Sequence, residues 1–283
     1  MLSLTFLLLS CSRNMAHNNL LIAVSIPPQQ WFVSQIAGEK AASLILIPPG
    51  QNPHNYEPTP RQIQSLASAK AWVLSGAEFE ISLRPKIESL FQNILIVDGT
   101  QGVQFRLLEE HDDADNYEHN SLEIDRHTWL GREPAKILAG HIKETLSLLD
   151  NENEAYYRTQ YENLVKLIDE EFDSLRLDLA PLNGRSVFVY HPSFGYFLDE
   201  FGIHQEAVET GGKEPTPREL NRLITKINDE HAAAIFVQTQ FPVNAARTVA
   251  NAAGAQLIEL DPLAQNWLEN IRIMGQALQE AVK

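Results

Sequence analysis

Hydrophobic residues occur along the chain as short runs separated by longer amphipathic stretches. In the first half, apolar and β-branched runs predict strands at 20–25, 43–47, 71–74 and 94–97. In the second half, similar runs predict strands at 187–190, 207–208, 234–237 and 256–260, of which 207–208 is the weakest. Several runs are apolar at every position, which is typical of strands that helices cover on both faces. The pattern predicts an α/β fold of parallel sheets flanked by helices.

The longest amphipathic stretch covers residues 154–179 and separates the two groups of strands. Its apolar residues recur at spacings of three and four from Tyr157 to Leu175, and Pro181 then ends the pattern. A helix of ~25 residues is ~38 Å long, enough to join two lobes. The alternative is an ordinary packed helix inside one large domain. The predicted division is an N-terminal lobe at 20–150, a linking helix at 151–180 and a C-terminal lobe at 181–283.

One short motif occurs in both halves, as EPTPRQ at 57–62 and EPTPRE at 214–219. Each copy begins a helix in the same way: Thr caps it, Pro occupies its first position, and Gln or Glu three residues after Thr closes a capping box. The repeat favours two lobes of similar architecture.

Composition excludes several classes of function. The 283 residues carry a net charge of −15, which disfavours binding to phosphate backbones and to anionic lipid. Cys11 is the single cysteine, so the chain has no intramolecular disulfide and no cysteine-based zinc or iron–sulfur site. The P-loop, the G-x-S-x-G elbow and the H-E-x-x-H motif are absent.

The first residues resemble a bacterial export signal. From Leu2 to Ser10 they are apolar or small, a run far shorter than the ~20 residues that span a bilayer. The letters LLSC at 8–11 resemble a lipobox, whose cysteine is lipidated, although no Lys or Arg precedes the run. We expect a signal segment and tether at 1–19, lipidation of Cys11, and a location in the periplasm or on the outer face of the cell membrane. The alternative is a buried N-terminal strand with an incidental thiol.

An acidic segment at 109–119 contains no Lys or Arg, and His111 and His119 lie within it. Such a segment cannot bury apolar surface, so its simplest interpretation is a solvated loop. Its carboxylates and imidazoles could also hold divalent cations weakly, which makes the two histidines candidate accessory ligands.

Four polar residues follow predicted strands, where open α/β sheets bind ligands. His54 lies beyond the second strand and His127 beyond the fourth, whereas His191 and Asp261 directly follow the strands at 187–190 and 256–260. Each alone has an ordinary explanation as a hydrogen-bonded histidine or a turn-forming aspartate. Because two come from each half, a cleft between lobes would bring them together. Three imidazoles and one carboxylate then suit a divalent ion, zinc above all.

These residues lie in segments that resemble one family, the zinc and manganese uptake group (cluster A-I) of solute-binding proteins of bacterial ABC transporters. The segments are NPHNYEP at 52–58, HTWL at 127–130, YHPSFGYF at 190–197, EPTP at 214–217, IFVQ at 235–238 and LDPL at 260–263. The resemblance runs from about Leu20 to the C-terminus.

The resemblance implies two α/β lobes joined by one long helix, with the metal between them and His54, His127, His191 and Asp261 as its ligands. It implies capture and delivery of Zn²⁺ to an ABC permease and its ATPase, by a monomer that is not an enzyme. Mn²⁺, or iron, is the alternative cargo. Two other classes remain open: a zinc-dependent hydrolase with an activated water, and a lipid-anchored adhesin with an incidental metal.

Overall fold

The computed structural model describes residues 20–108, 123–208, 216–230, 232, 234–241 and 243–281. The predicted signal segment with Cys11 and the acidic segment with His111 and His119 lie outside these residues. No helix among the described residues is both long enough and apolar enough to cross a membrane.

Two four-stranded sheets form the centres of two lobes. The strands of the first are β1 (Leu20–Val24), β2 (Ala41–Ile45), β3 (Ala71–Leu74) and β4 (Leu95–Asp98). The strands of the second are β5 (Ser186–Val189), β6 (His204–Ala207), β7 (Ala234–Gln238) and β8 (Gln256–Leu260). All pairs are parallel, and the spatial orders β2-β1-β3-β4 and β6-β5-β7-β8 are the same. The predicted α/β fold of two parallel sheets is confirmed, and the two lobes share one topology.

Helices cover both sheets, as parallel strands require. They are α1 (Pro27–Ala37), α2 (Pro60–Ser65), α3 (Glu78–Leu90), α4 (Arg132–Leu149), α5 (Glu154–Asp178), α6 (Gly195–Asp199), α7 (Pro217–Asp229), α8 (Val243–Ala253) and α9 (Trp267–Glu280). α2 begins as its motif predicts: the Thr59 side chain caps the helix and Gln62 completes a capping box. α7 begins at Pro217, in the second copy of the motif.

The long helix predicted between the lobes is α5, which packs against α1 and α4 of the N-terminal lobe and α9 of the C-terminal lobe. Its buried residues are Tyr157, Leu164, Ile168, Phe172 and Leu175. Phe172 stacks on Phe201 with ring centroids 5.9 Å apart. A large hydrophobic core extends through both lobes and includes Ile22, Phe172 and Trp267. A smaller separate core, which includes Phe188 and Ile235, lies in the C-terminal lobe. The buried face of α5 packs into the large shared core, so large lobe rotations would break its contacts.

Two strands begin two or more residues away from the prediction. β2 is Ala41–Ile45 rather than 43–47, and β6 is His204–Ala207 rather than 207–208. Both are edge strands, and neither is buried throughout. Backbone pairing with the neighbouring strand sets the ends of such strands, and their side chains carry only a weak hydrophobic pattern.

Candidate metal centre

Three of the predicted ligands meet at the carboxyl ends of the strands. His54 lies in a 3₁₀ turn, Pro53–Asn55, after β2. His127 immediately precedes a second 3₁₀ turn, Thr128–Leu130. His191 follows the end of β5. The three histidines line one cavity, to which the N-terminal lobe contributes His54 and His127 and the C-terminal lobe contributes His191.

The ring nitrogens of the three histidines converge. His191 Nε2 is 2.9 Å from His54 Nε2 and 3.3 Å from His127 Nε2. One ligand atom from each histidine lies within 4.8 Å of the others, and the described residues contain no other such group of three. Two nitrogens bound tetrahedrally to one zinc at ~2.0–2.1 Å lie about 3.3 Å apart. The spacing of the imidazoles therefore fits a single borderline divalent ion.

Two carboxylates orient two of the rings. Asp125 Oδ1 lies 2.8 Å from His127 Nδ1, and Glu78 Oε2 lies 3.1 Å from His54 Nδ1. A carboxylate accepts a hydrogen bond, so each pair holds the imidazole proton on Nδ1 and leaves the Nε2 lone pair for a metal. Asp125 is fully buried, whereas the Glu78 side chain is about 40% exposed.

Asp125 stays ionised because it is paired on both sides. Its Oδ2 accepts a hydrogen bond of 2.8 Å from Arg106 Nη1. Burial by itself would raise the pKa of Asp125, but hydrogen bonds and charges from His127 and Arg106 hold that pKa below its usual value. The buried site therefore contains a fixed negative charge directly behind one metal ligand.

His191 is held through its backbone. Its N–H donates to Gln238 Oε1 at 3.1 Å, and Gln238 Nε2 donates to the His191 carbonyl. Its ring stacks on Phe241 with centroids 4.6 Å apart. Burial, together with the neighbouring His127 and His54 imidazoles, holds the pKa of His191 well below its usual value. A neutral imidazole is the form that binds a metal.

Asp261, the fourth predicted ligand, lies outside the group of converging nitrogens. Its Oδ1 accepts hydrogen bonds from Gln240 Nε2 at 2.6 Å and from the Leu263 N–H at 2.9 Å. Gln240, Pro262 and Leu263 line the same cavity as the three histidines. The structure thus brings three predicted ligands together. The fourth, Asp261, is hydrogen-bonded to Gln240, which lines the cavity.

Sequence reasoning gave no role to Glu78, Asp125, Arg106 or Gln238. Asp125 stands two residues before His127, a spacing that could have suggested an orienting carboxylate. Gln238 lies in the segment IFVQ, which supported the family resemblance without assigning it a contact. Glu78 and Arg106 carry no local pattern, because their partners are distant in the chain.

Comparisons with known proteins identify the family and the fold. The family model described as zinc-uptake complex component A, periplasmic (ZnuA) matches residues 22–281. The high-affinity zinc uptake system protein ZnuA of Yersinia pestis is 26% identical over 262 residues, covering 86% of this chain and 82% of that protein. A crystal structure of ZnuA is 31% identical with a TM-score of 0.86, and the match covers 94% of this chain and 100% of that one.

A crystal structure of a ZnuA deletion mutant with zinc bound is also 31% identical, with a TM-score of 0.85 over 93% of this chain and 98% of that one. Because the family model spans nearly all of the described fold, the chain belongs to the ZnuA family of metal-binding solute-binding proteins of ABC transporters.

Proposed function

We propose that this protein captures zinc outside the cytoplasm and delivers it to an ABC permease and its ATPase. The observation that carries the proposal is the convergence of His54, His127 and His191 Nε2 atoms at the meeting of the two lobes. Capture replaces the hydration shell of the free ion with imidazole nitrogens. Delivery then requires only that the ion leave again, since the protein performs no chemistry on it.

Zinc is the expected cargo because all three converging donors are imidazoles. Neutral imidazole suits zinc, whereas a hard ion such as Mn²⁺ favours carboxylate and water ligands. Trp129, Phe241 and Leu263 contribute apolar wall to the cavity. Mn²⁺, or iron, is the alternative cargo, bound more weakly at the same donors.

Asp261 remains our proposed fourth ligand. To reach the ion, its carboxylate must give up the hydrogen bond from Gln240 Nε2. Gln240 Oε1 is buried and has no hydrogen-bond partner among the described residues. The amide is therefore incompletely satisfied in its present position, which lowers the cost of its moving aside.

Release of the ion should need only small movements. Trp129 Nε1 donates to the Pro262 carbonyl at 2.8 Å, and Trp267 Nε1 donates to the Trp129 carbonyl at 2.6 Å. These bonds join the N-terminal and C-terminal segments beside the histidines. Together with the shared core around α5, they oppose wide opening and favour local shifts of the ligand-bearing loops.

Location and accessory metal binding extend this proposal to residues outside the described structure. Lipidation of Cys11 would tether the protein to the outer face of the membrane. The acidic segment with His111 and His119 would bind divalent ions weakly. Mass spectrometry of the mature N-terminus tests the first point, and deletion of 109–119 followed by zinc titration tests the second.

Zinc titration calorimetry of the metal-free protein is the direct test. We expect one tight site, lost in the triple variant His54→Ala, His127→Ala, His191→Ala. His204→Ala is the matched control, because His204 is exposed at the start of β6. Wild-type affinity in the triple variant would overturn the site. Competition with Mn²⁺ in the same cell ranks the two ions.

Two experiments separate the remaining function classes. A hydrolase needs an open coordination position with an activated water and a base, so turnover of ester or peptide substrates by the zinc-loaded protein would favour it. Growth of a deletion strain separates transport from adhesion. A defect that appears only when zinc is limiting supports transport, and no metal-dependent defect favours adhesion.

A further inference from the structure

One side chain joins the segments that carry the second and third histidines. Arg106 Nη1 donates to Asp125 Oδ2 at 2.8 Å, and Arg106 Nε donates to Asp199 Oδ2 at 2.9 Å. Asp125 precedes His127 in the N-terminal lobe, whereas Asp199 ends α6 in the C-terminal lobe. The Arg106 side chain is only 12% exposed. We call Arg106, Asp125, Tyr196 and Asp199 the arginine clasp.

The backbone around Arg106 is built to fit this contact. Arg106 and Asp125 face each other next to an antiparallel bridge between Leu107 and Ile124, and the Asp125 N–H donates to the Arg106 carbonyl at 3.0 Å. The Tyr196 hydroxyl accepts from the Arg106 N–H at 3.0 Å and donates to the Asp125 carbonyl at 2.9 Å. The clasp is therefore a closed arrangement across the lobes rather than one isolated ion pair.

Gly195 makes room for the guanidinium. A Cβ at this position would lie 1.7 Å from Arg106 Nη1, a distance that no side chain can adopt. Gly195 begins α6, which follows His191 closely in the chain. The segment that carries the third ligand is thus packed directly on the side chain that supports the second.

The clasp reaches the metal centre through Asp125. Its Oδ1 accepts from both the N–H and Nδ1 of His127, at 2.9 and 2.8 Å, while its Oδ2 accepts from Arg106. The guanidinium therefore helps to fix the orientation of the carboxylate, and the carboxylate fixes the orientation of the imidazole. Mutation of a group hydrogen-bonded to a metal ligand, the position that Asp125 occupies toward His127, changes metal affinity by about 10- to 100-fold.

Resting on the proposed function, we infer that Arg106 is a positioning residue that fixes the spacing of His127 and His191 across the lobes and slows metal release. It binds no metal itself. Its planar fork can face two carboxylates at once, which a lysine ammonium cannot do in the same geometry. The hydrogen bond to Asp125 sets the orientation of the ring, and the hydrogen bond to Asp199 adds one link between the lobes.

The variants Arg106→Lys and Asp199→Ala distinguish the roles of the two hydrogen bonds that Arg106 donates, to Asp125 and to Asp199. Arg106→Lys keeps a charge beside buried Asp125, so we expect it to fold and to release zinc to a chelator about tenfold faster. Its Co²⁺ complex should show altered visible absorption bands, which report ligand geometry. Asp199→Ala should speed release by about two- to fivefold, as expected for a half-exposed ion pair, and leave the Co²⁺ spectrum unchanged.

Arg176→Gln is the matched control, because Arg176 pairs with Glu200 at the end of α6 and does not touch the clasp. It should leave release and spectrum unchanged. If Arg106→Lys folds with wild-type release and spectrum, the inference is overturned while the proposed function stands. If that variant does not fold, unchanged release by Asp199→Ala overturns the link between the lobes. Absence of metal binding by the unmodified chain would overturn both.

Discussion

His127 Nδ1 lies 2.8 Å from Asp125 Oδ1, and this hydrogen bond turns the opposite ring nitrogen toward His191. The buried negative charge of Asp125 thus fixes the direction in which the His127 Nε2 lone pair points. It does so because the carboxylate accepts only, so the shared proton must sit on the imidazole.

Replacement of Asp125 by Asn should lower zinc affinity by about 10- to 100-fold. The amide can direct only one oxygen, so either His127 or Arg106 faces an N–H donor instead of an acceptor. Calorimetry or chelator competition measures the loss. Asp178→Asn, at an exposed position at the end of α5, is the control. Wild-type affinity in Asp125→Asn would show that the carboxylate does not orient the ring.

Replacement of Asp261 by Ala tests the fourth ligand. If the carboxylate moves from Gln240 to the ion, its removal should weaken zinc binding by about tenfold or more, a change of at least ~1.4 kcal/mol. Glu259→Ala is the control, since Glu259 is exposed two residues earlier on β8. Equal affinity of Asp261→Ala and wild type would mean that the histidines bind the ion without this carboxylate.

The metal-free protein should lose stability as the pH falls below about 6.5, the usual pKa of histidine. Burial is the main cause that lowers the pKa of His191 in the folded state. Between the folded and the unfolded pKa, the imidazole is therefore protonated in the unfolded chain and neutral in the folded one. Stability then rises with pH, is complete above the unfolded pKa, and is lost as the pH falls toward the folded pKa.

Thermal unfolding of the metal-free protein at pH 7.5 and 5.5 measures this loss. His191→Gln removes the titrating group and should flatten the profile over this interval. A wild-type profile that is already flat, or one equally steep in the variant, would contradict the assignment.

The packing of α5 against α9 should be sensitive to one added methyl group. A Cβ on Gly275 would lie 2.3 Å from Leu175 Cδ2, inside the shared core. Gly275→Ala should therefore lower the free energy of unfolding by about 1–3 kcal/mol, despite the better helix propensity of alanine. Urea unfolding measures it, with Gln276→Ala at the exposed neighbouring position as control. An equally stable Gly275→Ala protein would mean that the Leu175 side chain moves aside at little cost.

Much of this protein could be predicted from the order of its residues. A continuous apolar run such as Ala71–Leu74 indicates a strand buried on both faces. Apolar residues at spacings of three and four from Tyr157 to Leu175 indicate a helix with one buried side. The start of α2 could also be predicted from the sequence, because the cap at Thr59 and its capping box use only neighbouring residues. Three histidines placed after strands indicated a metal site before any distance was known.

Only the tertiary structure determined which groups form hydrogen bonds that orient those histidines. Glu78 reaches His54 and Arg106 reaches both Asp125 and Asp199 over separations in the chain that no local pattern encodes. It also decided that Asp261 is held by Gln240, outside the converging nitrogens. The hydrophobic pattern indicates which positions are buried and where the strands occur along the sequence. The orientation of a ligand depends instead on hydrogen bonds between segments that only folding brings within 3 Å of each other.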